Sequence, residues 1–141
     1  MLRTLVMLLL AAQTAASAQE AAPTPTLAIA PGETVTVRIA DNDAGFVVLS
    51  RGQGEASGAR AENTIRFSFV GMSGMLMLQV ENGYGRAFTY EARMVRGRRA
   101  ERTSICPVLA HIVTIESWQD AIDRLELSAP HLSDQVAMAC R

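Results

Sequence analysis

Between residues 75 and 95 the chain carries two rows of apolar side chains with a period of two, and no other feature limits the possible folds as strongly. Leu76, Leu78 and Val80 make the first row, and Phe88, Tyr90, Ala92 and Met94 make the second after a break at Gly83-Tyr84-Gly85. A period of two marks a strand with one buried face, and two such runs around a glycine-bearing break predict a β-hairpin. Residues opposed across an antiparallel pair share a face, so two even-numbered rows need pairs whose numbers sum to an even value. A two-residue Asn82-Gly83 loop gives odd sums. A three-residue Gly83-Tyr84-Gly85 loop pairs Val80 with Phe88, Leu78 with Tyr90 and Leu76 with Ala92, and is the expected register.

The same beat recurs elsewhere. Val35, Val37 and Ile39 alternate with Thr34, Thr36 and Arg38, and Ile65, Phe67 and Phe69 alternate with Thr64, Arg66 and Ser68; Leu27 and Ile29 make a shorter run. Such alternation implies one wet face and favours antiparallel sheets. Residues 46–49 are continuously apolar and are expected to be buried on both faces. Residues 105–115 are apolar and β-branched but broken by Pro107, which predicts one or two edge strands. Beyond Ser117, Trp118, Ile122 and Leu125 have helical spacing with Ser117 and Asp120 as a cap, while Leu125 and Leu127 alternate. That stretch predicts a single helical turn followed by a short strand. Residues 51–63 read as a mobile glycine-rich loop, residues 71–74 as a turn and residues 96–103 as a polar connection. Seven or eight short strands without strand-helix alternation predict an all-β protein, an antiparallel β-sandwich of immunoglobulin-like or jelly-roll-like type, with at most one short helical turn near the C-terminus.

The first residues point to export. An apolar run at residues 5–12 follows Arg3 and precedes Ala16-Ser17-Ala18, the pattern of a signal peptide cleaved after residue 18. The run is far shorter than the roughly 20 residues that span a bilayer, so no transmembrane segment is expected in the mature chain. Residues 19–26, with Pro23 and Pro25, read as a flexible leader, and residues 27–141 as one domain. Loss of Arg3 leaves 12 arginines against 14 acidic residues, a formal charge of −2, which argues against nucleic acid as a partner. Every basic residue is arginine. Two cysteines in an exported chain predict a Cys106–Cys140 disulfide, which pins a terminus that otherwise frays.

The residues offer few sites. The Asp41-Asn42-Asp43-Ala44-Gly45 run begins like a calcium loop, but Phe46 and Gly52 stand where the pattern needs glycine and glutamate, so it reads as a turn. Gly52, Gly54 and Gly58 miss the dinucleotide spacing, and no cofactor is expected. Cys106, His111, His131 and Cys140 fit no zinc spacing. Met72, Met75 and Met77 are soft ligands that hold Cu(I) if His111 or His131 comes within reach, which makes a small periplasmic copper protein the first alternative. Ser73, Ser104 and Ser117 have no histidine and acid at any motif spacing. A small secreted hydrolase is therefore a further alternative only, and the expectation is a protein that is not an enzyme. Arg93, Arg96, Arg98, Arg99 and Arg102 place five guanidiniums within ten residues, suited to phosphate or carboxylate groups. The reading these residues support is a periplasmic or secreted, non-catalytic binding or envelope-associated accessory module. Its expected partner is an anionic envelope component or another envelope protein.

Overall fold

A computed structural model describes residues 21–54 and 57–141, and the expected signal peptide lies outside the described residues. Nine strands run in the order β1 (Thr26–Ile29), β2 (Glu33–Ile39), β3 (Phe46–Gln53), β4 (Ile65–Met72), β5 (Met75–Asn82), β6 (Ala87–Arg96), β7 (Arg99–Thr103), β8 (Val113–Trp118) and β9 (Arg124–Ser133). They form two antiparallel sheets packed face to face, ordered β1-β9-β6-β7 and β3-β2-β4-β5-β8. The protein is a β-sandwich. One helical element occurs among the described residues, a 3-10 turn at Asp41–Asp43.

The hairpin expected around residues 83–85 does not form. β5 pairs with β4 and β8, whereas β6 pairs with β7 and β9, so the two strands lie in opposite sheets. The alternation of both rows is nonetheless as read, because each row turns its even-numbered side chains inward. The rows meet across the sandwich instead of along a ladder. Phe67 of β4 stands edge-on to Phe88 and Tyr90 of β6, with ring centroids 6.1 and 5.8 Å apart, and Phe88 and Tyr90 stack at 5.1 Å. Side-chain parity says which residues share a core; it does not say whether they share a sheet.

The crossing between sheets is held by Asn82, which is fully buried. Its Nδ2 donates to the carbonyls of Arg86, Val108 and Leu109 at 2.8, 3.1 and 3.0 Å, and its Oδ1 accepts from the Tyr84 amide at 2.9 Å. Its own backbone N–H donates to the Ile112 carbonyl. Gly83 is required by proximity, since a Cβ there would sit 2.1 Å from the Ala61 carbonyl oxygen. Tyr84 reaches the opposite end of β2, where its hydroxyl accepts from the Ile39 N–H at 2.9 Å. Each buried polar group at the crossing thus has a partner, which a buried bend needs.

Several other expectations are corrected. Residues 117–123 contain no helical turn. Trp118 ends β8, packing edge-on against Phe69 and donating from Nε1 to Thr103 Oγ1. Asp120, read with Ser117 as a helix cap, instead takes the Arg96 guanidinium, and Asp123 accepts the Gly97 N–H, so the two acids hold the β6–β7 turn. The strand beginning at Leu125 is long and central, running to Ser133. Residues 96–103 are a tight turn followed by strand β7. Of residues 46–49, Phe46 and Val47 are buried, but Leu49 is half exposed because β3 bulges there against Thr36 and Val37. The described part of residues 51–63 is no free loop. Arg51–Gln53 belong to β3, and Arg66, ion-paired with Glu81, donates to the carbonyls of Ser57 and Gly58. Thr24, within the expected flexible leader, exchanges two backbone bonds with Phe46.

Truncating Asn82 to alanine leaves the Arg86 carbonyl and the Tyr84 N–H without their partner at the crossing, while the Val108 and Leu109 carbonyls keep the Phe88 and Ile112 N–H groups, at about 1–3 kcal/mol for each group that water cannot reach. Urea denaturation should show a loss of at least ~2 kcal/mol. Asn82→Asp, which turns an oxygen toward those carbonyls, should cost more at neutral pH. Tyr90 supplies a second expectation. Burial, with the Glu116 charge adding to it, raises the pKa of its hydroxyl, which has no hydrogen-bond partner among the described residues. The neutral form is therefore the one the fold favours. Stability is intact below pH ~10 and falls by about 1.4 kcal/mol per pH unit above it, as the unfolded state gives up a proton that the folded state keeps. Without lysine in the chain, this slope stands clear of other side chains except Tyr84, whose pKa burial also raises. Denaturation between pH 9 and 12 should show a shallower fall in Tyr90→Phe with no loss at pH 7.

Candidate functional site

The central strand β6 loses regular pairing on both sides at one level. Toward β9 the register runs from Glu91–Ser128 to Thr89–His131, so Ala129 and Pro130 together oppose Tyr90. Toward β7 it runs from Ala92–Thr103 to the Phe88–Val108 bridge, so the four residues 104–107 oppose the three residues 89–91. Each neighbour carries one extra residue, and each extra stretch contains a proline, Pro130 or Pro107. Proline has no N–H to give a ladder and is accommodated inside a sheet at bulges. Ala129 takes a left-handed φ of 49° at the turn of its bulge.

Where the neighbours part, a groove of about 730 Å³ opens over residues 89–92. One wall is residues 102–107 and the other is the end of β9 with the C-terminal stretch, from Gln135 to Arg141. That stretch is fastened at its far end. The Cys106 and Cys140 sulfurs stand at disulfide distance, and the neighbouring Ile105 and Arg141 exchange backbone hydrogen bonds of 2.8 and 2.9 Å. Cys106 is held in turn by its N–H, which donates to Glu116 Oε1 at 2.8 Å.

The groove's ionisable side chains are Arg102, Arg141, His131, the buried phenol of Tyr90 and a single side-chain carboxylate, Glu91. Arg102 and Glu91 form an ion pair on the outward face of the four-stranded sheet. His131 Nδ1 lies 2.5 Å from Asp43 Oδ2, so the 3-10 turn of the other sheet fixes the imidazole ring. No hydroxyl or thiol is hydrogen-bonded to either histidine among the described residues. Ser133, two positions along from His131, is turned onto Gln135, donating to its carbonyl and accepting from its amide. The lining can therefore donate strongly to an acidic group, and it holds no assembled nucleophile.

The five arginines of residues 93–102 do not act as one patch. Arg93 and Arg102 are opposed in register on the outward face. Arg96 points to the other side and is bound to Asp120 at 2.8 Å and Glu101 at 3.8 Å. Arg98 at the turn and Arg99 beside it have no side-chain partner among the described residues. Met72, Met75 and Met77 share the outward face of the five-stranded sheet, with Met72 opposite Met75 and Met77 opposite Val70. His111 lies beside Tyr84, at the other end of β5, about 23 Å along a strand of that length. His131 is on the other sheet. The structure therefore brings neither histidine to the methionines, and no group of three or more His, Cys, Asp or Glu is placed to hold a metal among the described residues.

Sequence reasoning joined Cys106 to Cys140 but did not bring Arg102 and His131 to that pair, and it gave no site role to Glu91, Arg141 or Asp43. The usable signal was the pair of prolines inside otherwise strand-like runs. The Asp43–His131 contact spans 88 positions and has no local signature. No protein-family model, no curated protein and no solved structure matches this chain.

Proposed function

We propose that this protein is an exported, non-catalytic binding module of the cell envelope, and that its groove takes a carboxylate- or phosphate-bearing ligand. The observation that carries the reading is the groove itself. A central strand is stripped of regular neighbours, walled by a sulfur-fastened tail and lined with two arginines against one carboxylate. Glu91 holds the Arg102 guanidinium in position while using part of its five N–H donors, which leaves donors for an incoming acid. Arg93, beside it on the same face, extends the positive surface, and Arg98 and Arg99 stand at its margin. Arg96, spent on Asp120 and Glu101, is left out of the contact. Export is supported by the leader-like first 18 residues and by a cysteine pair that an oxidising compartment keeps joined.

Titration of the protein with an acidic oligosaccharide and, separately, with phosphatidylglycerol vesicles separates a glycan from a lipid source of the acidic group. Binding should weaken about 10- to 100-fold in Arg102→Ser, as expected for a charge-assisted hydrogen bond of roughly 1.5–3 kcal/mol. It should disappear in Arg102→Ser combined with Arg141→Ser, and it should weaken with added salt. Affinity unchanged in the double variant, or no binding in either arm, would overturn the reading.

A further inference from the structure

A two-layer sandwich has four strand edges, and three of them here carry features that discourage another strand from adding. β7 presents Arg99, Glu101 and Arg102, β1 is four residues long and follows Pro25, and β3 is bulged with Arg51 in its second half. Charges, short length and bulges are the usual guards of an open edge. β8 has no bulge and no charge on its outward face. Among the described residues it pairs with β5 alone, and it contains no proline, glycine or basic residue and turns Val113 and Ile115 outward at 45 and 59 % exposure. Ile112, just before it, is 46 % exposed. The one charge on the strand, Glu116, is turned inward and engaged by the Cys106 N–H.

We propose that β8 is a self-association edge, on which a second copy of this chain adds its own β8 antiparallel, joining two five-stranded sheets into one. The occupant is a second copy because the edge complements itself. Its outward row has no charge for a differently charged strand to match and none to repel an identical one. Parity fixes the register further. In a continuous sheet an inward residue must oppose an inward residue, so paired numbers sum to an even value. Centring on Ile115 overlaps the whole strand. Ile115 then meets itself, Val113 meets Ser117, and Ile112 meets Trp118 at both ends. Thr114, whose hydroxyl has no partner among the described residues, comes opposite Glu116 of the second copy. A register centred on Thr114 sets Ile112 against Glu116 and shortens the overlap, and one centred on Glu116 sets two carboxylates against each other, so the Ile115-centred pairing is the one assigned. With about six residues a side, the contact belongs to the small, reversible class of interfaces.

Sedimentation of the purified protein over a concentration series should show a reversible monomer–dimer equilibrium. Ile115→Arg, which sets two guanidiniums against each other on the two-fold axis, should leave only monomer with an unchanged thermal melt. Ile115→Cys should cross-link to itself under mild oxidation, because opposed Cα atoms in an antiparallel pair lie ~4.5–5.5 Å apart, within disulfide reach. Val113→Cys should not, because its partner is Ser117. A protein that stays monomeric at every concentration overturns the proposal. So does a dimer that survives Ile115→Arg, or self-linking by Val113→Cys as efficient as by Ile115→Cys.

Discussion

The change of sheet between Asn82 and Ala87 is the constraint on which the rest of the structure depends. A buried bend exposes backbone groups to an apolar interior, and each one left unpaired costs on the order of 1–3 kcal/mol. The single Asn82 amide satisfies the Arg86 carbonyl and the Tyr84 N–H there and adds to the backbone bonds of the Val108 and Leu109 carbonyls, which no apolar residue could do. With the bend held, β5 and β6 are released from each other. β5 accepts β4 and β8; β6 accepts β7 and β9. A hairpin at the same place would have used one side of each strand and left neither the groove nor the β8 edge.

The two surfaces follow from that partition in different ways. On the four-stranded sheet, the strands flanking β6 each carry a proline that a regular ladder cannot accept, and both yield at Tyr90. The opening is lined with charge because outward positions of an exposed sheet face are polar. On the five-stranded sheet, the last strand is added by a chain returning from the other layer through residues 104–112, and it ends the sheet with its far side bare. One surface has polar groups converging on a concavity, as a ligand site needs, and the other has a flat apolar strand edge, as strand addition needs.

Much of the fold was legible in the sequence, because inward parity depends only on local alternation. Val35, Val37, Phe67, Leu78, Phe88 and Leu127 are all buried, as their alternation demands. What was not legible was partner choice. The 76–80 and 88–94 rows have the same parity whether they pair in one sheet or face each other across two, and a glycine-bearing break serves a hairpin or a crossing equally well. The helical spacing of Trp118, Ile122 and Leu125 failed for a related reason. Asp120, the acid that suggested a cap, is bound to Arg96, more than twenty positions away. The candidate site was legible only in pieces, since its walls are brought together by one disulfide and two bulges whose other halves lie elsewhere in the chain.

Opening a central strand on both sides should weaken the sheet where the site is, and the core beneath accounts for its tolerance. Tyr90, the residue at both bulges, stacks on Phe88 and meets the edge of Phe67, which is also packed edge-on against Phe46. Aromatic pairs of this kind contribute about 0.5–1.5 kcal/mol each beyond their burial, comparable to the net value of a backbone hydrogen bond. The ring cluster thus offsets locally what the ladder gives up, and it does so across the sheets, where the bulges cannot disturb it. The disulfide and the Ile105–Arg141 backbone pair hold the outer wall by a separate route. Floor and wall therefore have independent supports. Arg102 and His131 take no part in that core, and their partners, Glu91 and Asp43, lie outside it.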